Sequence, residues 1–362
     1  MFTLFISRSL KNIQMTKFNF YTIISTLLFL VTIADFSYAQ EAMAEEEAPK
    51  FTLSGSVDTY FRTNLNGPND TERFGIVAPA TSFANLPGFS LGMANLIGTY
   101  EGEKAGIVAD LVFGPRGSDA VFDSPRYSSS AQIVNQLYAY VNVGENATIT
   151  MGNFNTFLGY EVISPTANFN YSTSYMFSYG PFSHTGLKVD IATESGFSIM
   201  AGILNPTDVT EFNPFSDYFF GAQLGYGGFY LNGLFGDGYT QVDLTGGVDV
   251  TEKLYLGINA TLTDTGDDTG FGGAALYAQL ATSDALKLGV RYEFFNDKNT
   301  VFGDFAETNA SDFTITANYS VGNLTIIPEF RIDTNDEDVF LDSDGAASSS
   351  LASFVLAFAY GF

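Results

Sequence analysis

The sequence predicts an all-β fold: a transmembrane antiparallel β-barrel of about 16 strands with short periplasmic turns and longer extracellular loops. Three observations predict it. Apolar and polar side chains alternate along the chain, the connections alternate between tight and long, and the chain ends on an aromatic residue that closes an alternating aromatic run. Composition points the same way. Of the 362 residues, 46% are hydrophobic and 15% charged, where soluble domains carry roughly 25% charged. The 40 acidic and 15 basic residues give a net charge of −25, which excludes a nucleic-acid binder that works through phosphate contacts. Cys is absent, so disulfide frameworks, thiolate metal sites and cysteine nucleophiles are excluded. A single His excludes zinc sites built on several imidazoles.

Residues 1–39 are expected to be a cleavable signal peptide. The continuously apolar run 21–34 follows Lys11 and Lys17 and precedes Ser37-Tyr38-Ala39, small residues at the spacing that export cleavage requires. The run is shorter than the roughly 20 residues a spanning helix needs. Met15 is a second candidate start. Cleavage after Ala39 removes three bases and one acid, which takes the net charge from −25 to −27. Residues 40–50, QEAMAEEEAPK, are expected to form an acidic flexible leader ended by Pro49. Residues 51–362 form the barrel.

From Phe51 onward the apolar period is two. In the first segment Phe51, Leu53, Val57 and Phe61 share one face, while Thr52, Ser54, Ser56, Asp58, Tyr60 and Arg62 share the other. The pattern predicts strands at 51–63, 89–101, 104–113, 132–143, 146–154, 184–193, 197–205, 217–226, 228–236, 240–250, 253–263, 271–281, 285–295, 311–320, 323–333 and 351–362. Tight connections at 102–103, 144–145, 194–196, 227, 251–252, 282–284 and 321–322 alternate with mostly longer ones at 64–88, 114–131, 155–183, 206–216, 237–239, 264–270, 296–310 and 334–350. A β-sandwich would also alternate, but its outer face would be richly charged and its turns of one general kind. An even strand number and a closed sheet leave no unpaired edge in lipid. Phe354, Leu356, Phe358, Tyr360 and Phe362 lie on one face of the last strand. This matches the terminal signature of outer-membrane barrels and implies recognition by the barrel-assembly machinery through Phe362. With Trp absent, Phe and Tyr must supply the interfacial girdles.

The stretch 152–188 (GNFNTFLGYEVISPTANFNYSTSYMFSYGPFSHTGLK), together with 108–117 (VADLVFGPRG), resembles the OmpL-like β-barrel porins of Gram-negative bacteria. The resemblance is strongest over 51–188; beyond that it rests on strand pattern and terminus. It implies an outer-membrane porin fold and passive uptake of small hydrophilic solutes, with no catalytic residues and no cofactor.

Strand parity then places charges in the bore: Asp58, Arg62, Asp110, Lys188, Asp190, Lys287, Arg291, Glu293, Glu329, Arg331 and Asp333. They are expected either to set up a transverse field for dipolar solutes or to pair and fill the lumen. The 155–183 connection, with Glu161, Asn168, Asn170, Tyr171 and Tyr175, is the constriction candidate; the competing expectation is an extracellular cap packed on itself. Arg116, in Gly114-Pro115-Arg116-Gly117, starts a sharp turn and is expected either to fold back across the mouth or to stay in a turn held by its own backbone.

Two acidic groups, Asp264 with Asp267 and Asp268, and Asp333 with Asp336, Glu337, Asp338, Asp342 and Asp344, are expected to be solvated loops that repel anions or share divalent ions with lipopolysaccharide. A cation site on Asp336, Asp338, Asp342 and Asp344 is the weaker alternative, because the spacing lacks a full calcium-loop series. His184 is expected to be structural, which sets aside a hydrolase. The expected function is a porin with mild cation preference, in contact with lipid and lipopolysaccharide and compatible with a homotrimer. A plugged structural or surface-interaction barrel is the alternative.

Overall fold

The computed structural model describes residues 50–122, 127–266, 268–302 and 307–362. The expected signal peptide, all of the leader but Lys50, and Asp267 lie outside the described residues.

A dyad of apolar and polar side chains suits a strand with two different solvents on its two faces. The chain answers with β1 (Lys50–Asn64), β2 (Gly88–Glu101), β3 (Ala105–Phe113), β4 (Val134–Val143), β5 (Ala147–Asn155), β6 (Ser183–Ala192), β7 (Phe197–Leu204) and β8 (Phe219–Tyr226). It continues with β9 (Phe229–Gly236), β10 (Tyr239–Asp249), β11 (Leu254–Gly266), β12 (Thr269–Ala281), β13 (Leu286–Lys298), β14 (Thr308–Val321) and β15 (Leu324–Asn335). A two-residue pair, β16 (Phe340–Leu341) and β17 (Ala347–Ser348), precedes the closing strand β18 (Ser350–Gly361). Every neighbouring pair is antiparallel, and β18 bonds to both β15 and β1, so sixteen strands close into a barrel. The last residue completes the seam: Gly55 N–H donates to the Phe362 carbonyl at 2.9 Å and Phe362 N–H to the Gly55 carbonyl at 3.0 Å.

Each predicted segment corresponds to a barrel strand. The ends differ where the apolar signal stops: β11 and β12 leave only 267–268 between them, and β13, β14 and β15 all run further toward the long-loop end than alternation indicated. Those ends are mostly Thr, Gly, Asp and Asn, with Lys298 and Ala310 among them. Ladder bonding does not depend on side-chain polarity, so strands continue past the hydrocarbon band.

Facing outward are Phe89, Leu91, Leu137, Met151, Leu276 and Ile315, all exposed. Among the described residues no helix is long and apolar enough to cross a membrane. Aromatics mark both rims of the outer face, with Tyr100, Tyr226, Tyr319 and Tyr360 toward the short turns and Phe89, Phe113 and Phe294 toward the long loops. Among the described residues three short α-helices, α1 (Thr71–Phe74), α2 (Pro115–Ala120) and α3 (Tyr175–Tyr179), all lie in long connections.

Candidate functional site: the lumen and its inserted loop

The inward face of each strand carries polar and charged side chains, and the 156–182 connection fills the space between them. It leaves the rim after β5 and crosses the bore. Gly159 N–H reaches Asp243 on β10 at 3.0 Å, the Asn170 amide donates to Thr316 on β14 at 2.7 Å, and the Tyr171 hydroxyl donates to Asp58 on β1 at 2.5 Å. The loop is therefore inserted, not an external cap.

Backbone N–H groups outside a ladder need acceptors when buried. Three carboxylates supply them. Glu329 accepts from Tyr171 N–H (2.8 Å) and Ser172 N–H (2.9 Å), and Glu293 from Tyr175 N–H (2.7 Å) and Met176 N–H (2.8 Å), at the start of α3. Glu161, on the loop itself, accepts from Ser174 N–H at 2.7 Å. Arginines answer the loop carbonyls: Arg291 donates to Ser172 at 2.8 Å and Arg331 to Thr173 at 2.6 Å. Arg116, from α2, donates through Nε to the Ile163 carbonyl at 2.9 Å and covers the Phe83 ring at 4.4 Å. It does fold across the mouth, onto the inserted loop.

The charges pair among themselves. Arg291 bridges Glu161 (2.7 Å) and Asp312 (2.6 Å), and Arg331 holds Asp333 at 2.6 Å. Arg291, Glu293, Asp312 and Asp333 are fully buried. A buried arginine without carboxylate partners would be very costly, so the two signs are built as one network. Of the two expectations for these charges, pairing that fills the lumen is the one present.

Wall glycines seat the loop side chains. A Cβ on Gly289 of β13 would lie 2.3 Å from the Phe169 ring, and one on Gly257 of β11 would lie 2.8 Å from Tyr160. Tyr160 also stacks on Tyr277 with centroids 4.1 Å apart. The loop and the wall are thus shaped for each other.

Parity put Asp58, Arg62, Asp110, Lys188, Asp190, Lys287, Arg291, Glu293, Glu329 and Arg331 on the inner face, and all are there. As a lining of open water the set needs correction. Asp58, Arg62, Asp110, Arg116, Glu161, Tyr171, Arg291, Glu293, Glu329 and Arg331 are buried under the inserted segments, because the loops take up the volume that parity left as bore. Arg62 bonds Asn64 and the Val77 carbonyl of the first long loop, and Asp110 accepts from Asn95 and Asn135. Lys188, Asp190 and Lys287 do meet water, and the first two pair at 2.7 Å. Three carboxylates absent from the charge set do structural work: Asp312, above; Asp243, which also accepts from Asn232 and Asn259; and Asp297, which accepts from the N–H groups of Thr300, Val301 and Phe302. Their inward parity was the signal that marks them.

Asp336 accepts from Thr308 and Asn309, and Asp342 from the N–H groups of Asp344 and Ala346. Asp336, Asp338, Asp342 and Asp344 therefore do not converge as a metal set, and the described residues contain no group of three or more ligand-type side chains placed for a metal. Asp333 belongs to the lumen network, not to that loop. His184 is buried with Nε2 2.9 Å from the Thr156 hydroxyl and its ring against Phe157.

Toward the short turns the lumen opens. A cavity of about 490 Å³ lies there, between loop residues 165–170 and the ends of β11 to β15 and β18.

The family model for "Putative beta-barrel porin-2, OmpL-like" matches residues 50–362. Among solved structures, OmpT of Vibrio cholerae in its trimer form is similar with a TM-score of 0.53 at 12% identity, covering 87% of this chain and 100% of that one. An anion-selective porin from Comamonas acidovorans gives 0.55 at 12%, covering 87% and 100%. The outer membrane channel DcaP of Acinetobacter baumannii gives 0.53 at 10%, covering 89% and 99%. At such identities the likeness is one of fold. No curated protein matches the chain in sequence.

Proposed function

The chain belongs to the OmpL-like porin-2 family of β-barrel proteins, and from that premise we propose that it is a restricted diffusion channel for small hydrophilic solutes, gated by the 156–182 loop. It is a porin-type barrel of the kind found in Gram-negative outer membranes. One observation carries the restricted-channel reading: the loop that crosses the polar lumen is held only by hydrogen bonds, ion pairs and packing, in a chain with no Cys. Such a loop can yield without breaking the barrel, whose ladder closes independently of it. The net charge of −25 favours a mild preference for cations through its long-range field.

The plugged structural barrel is the second reading, favoured by the complete burial of Arg291, Glu293 and Asp312 at mid-height. Conductance separates the two. In planar bilayers the wild type is expected to show small, brief steps, and the double variant Glu293→Gln, Glu329→Gln steps several-fold larger, because each amide sets an N–H donor against a loop N–H. A salt gradient is expected to give a reversal potential of cationic sign. Silence from both proteins would establish the plug reading, and an anionic sign would overturn the selectivity.

The same reading includes a signal peptide at 1–39, an acidic leader that ends before Lys50, the first residue of β1, assembly through the Phe362 terminus, contact with lipopolysaccharide at the long loops, and a homotrimer. The trimer form of the Vibrio cholerae neighbour supports that last element.

A further inference from the structure

The cavity at the short-turn end presents a band of inward polar side chains. Tyr255 of β11 is paired in register with Gln279 of β12, Lys287 of β13 with Asn318 of β14, and Ser320 of β14 with Thr325 of β15. These six side chains form one band along the cavity wall, facing loop residues 165–170. Among the described residues, the side chains of Gln279, Lys287, Ser320 and Thr325 have no hydrogen-bond or ion-pair partner in the protein. Tyr255 is fixed by a hydroxyl contact of 3.2 Å with Tyr160, so its aromatic ring is held at the edge of the band. The only carboxylate lining the cavity, Glu161, is engaged by Arg291 and Ser174.

We propose that this vestibule is a binding site for a neutral, hydroxyl-rich ring solute of mono- to disaccharide size. The cavity volume of about 490 Å³ falls in the roughly 300–1,000 Å³ range of small-molecule sites. The polar part of the lining is mostly amide, hydroxyl and tyrosine, set beside Phe169, Ile327 and Ala359. Amides and hydroxyls both donate and accept, as a sugar's hydroxyls require, and a held aromatic ring offers an apolar face to its C–H surface. An anionic solute would find one lysine against the field of a chain of net charge −25. An apolar solute would strand the free polar groups. The site lies on the short-turn side of the inserted loop, so it is reached from that side without moving the loop.

The inference deepens the channel reading by naming a solute class, yet calorimetry tests it without needing an open bore. Maltose and glucose are titrated into the detergent-solubilised full chain, with gluconate as the anionic comparison. Saturable heat with maltose or glucose is expected, with gluconate weaker. Binding should weaken about 3- to 10-fold in Gln279→Ala, the scale of one lost neutral hydrogen bond, and similarly in Ser320→Ala, whose smaller change guards against misfolding. Heat-modifiable gel mobility shows that each variant is a closed barrel. No saturable heat, unchanged wild-type affinity in both variants, or preference for gluconate would overturn the site. A conducting protein that binds no sugar sinks the site alone; binding without conductance sinks the channel and keeps the site.

Discussion

At Arg291 a single guanidinium joins wall to loop: it bridges Glu161 and Asp312 and donates to the Ser172 carbonyl. Removing one partner of a buried ion pair costs about 3–5 kcal/mol, because the other charges stay buried and uncompensated. Arg291→Met is therefore expected to lower the fraction of barrels resistant to detergent at moderate temperature, read from gel mobility, by far more than Lys188→Met at the water-exposed Lys188–Asp190 pair. The outer loops give the matching case in water. Desolvation, the largest single influence, pushes the Asp336 carboxyl up, but hydrogen bonds from Thr308 and from the backbone and side chain of Asn309 together outweigh it and hold the pKa below the ordinary range. A depressed folded-state pKa means the contact contributes fully above about pH 4 and is lost as pH falls through the lowered value. Protease nicking within 337–349 should accordingly rise as pH falls through that window. In Asp336→Asn it should be high and flat with pH.

Among the elements, strands were legible and the inserted loop was not. Alternation located all sixteen strands because hydrocarbon and lumen impose opposite solvents on successive residues, as at Leu254 to Leu262 against Tyr255 to Thr263. The same parity aimed Asp58, Arg291 and Glu329 inward. It specifies direction but neither depth nor covering, so it could not tell a wet wall from one buried under a loop. The clamps of Glu293 and Glu329 are bonds to backbone N–H groups of 171–176, which every residue but proline carries, so no side-chain pattern announces them. The glycine seats were visible only as inward glycines. Gly257 and Gly289 matter for the space above them, which depends on where Tyr160 and Phe169 arrive. Gly289→Val is expected to displace Phe169 and raise single-channel conductance while the barrel still closes. Unchanged conductance with an intact barrel would mean that this seat does not hold the loop.

As a whole, the barrel is a hydrogen-bonded cylinder whose polar bore is occupied by a segment of its own chain, with a vestibule below it. The fold, the family and the inward charges make a porin. Restriction of that bore by the docked loop is the proposal that rests on this placement. It is tested most directly by placing cysteines at Asn170 and Thr316, whose side chains meet at 2.7 Å, in a protein that otherwise has none. With the loop docked, mild oxidation of intact outer membranes is expected to link the pair nearly completely and leave little thiol for a water-soluble maleimide. Free, maleimide-reactive cysteines at both positions in a closed barrel would place the loop outside the bore and contradict it.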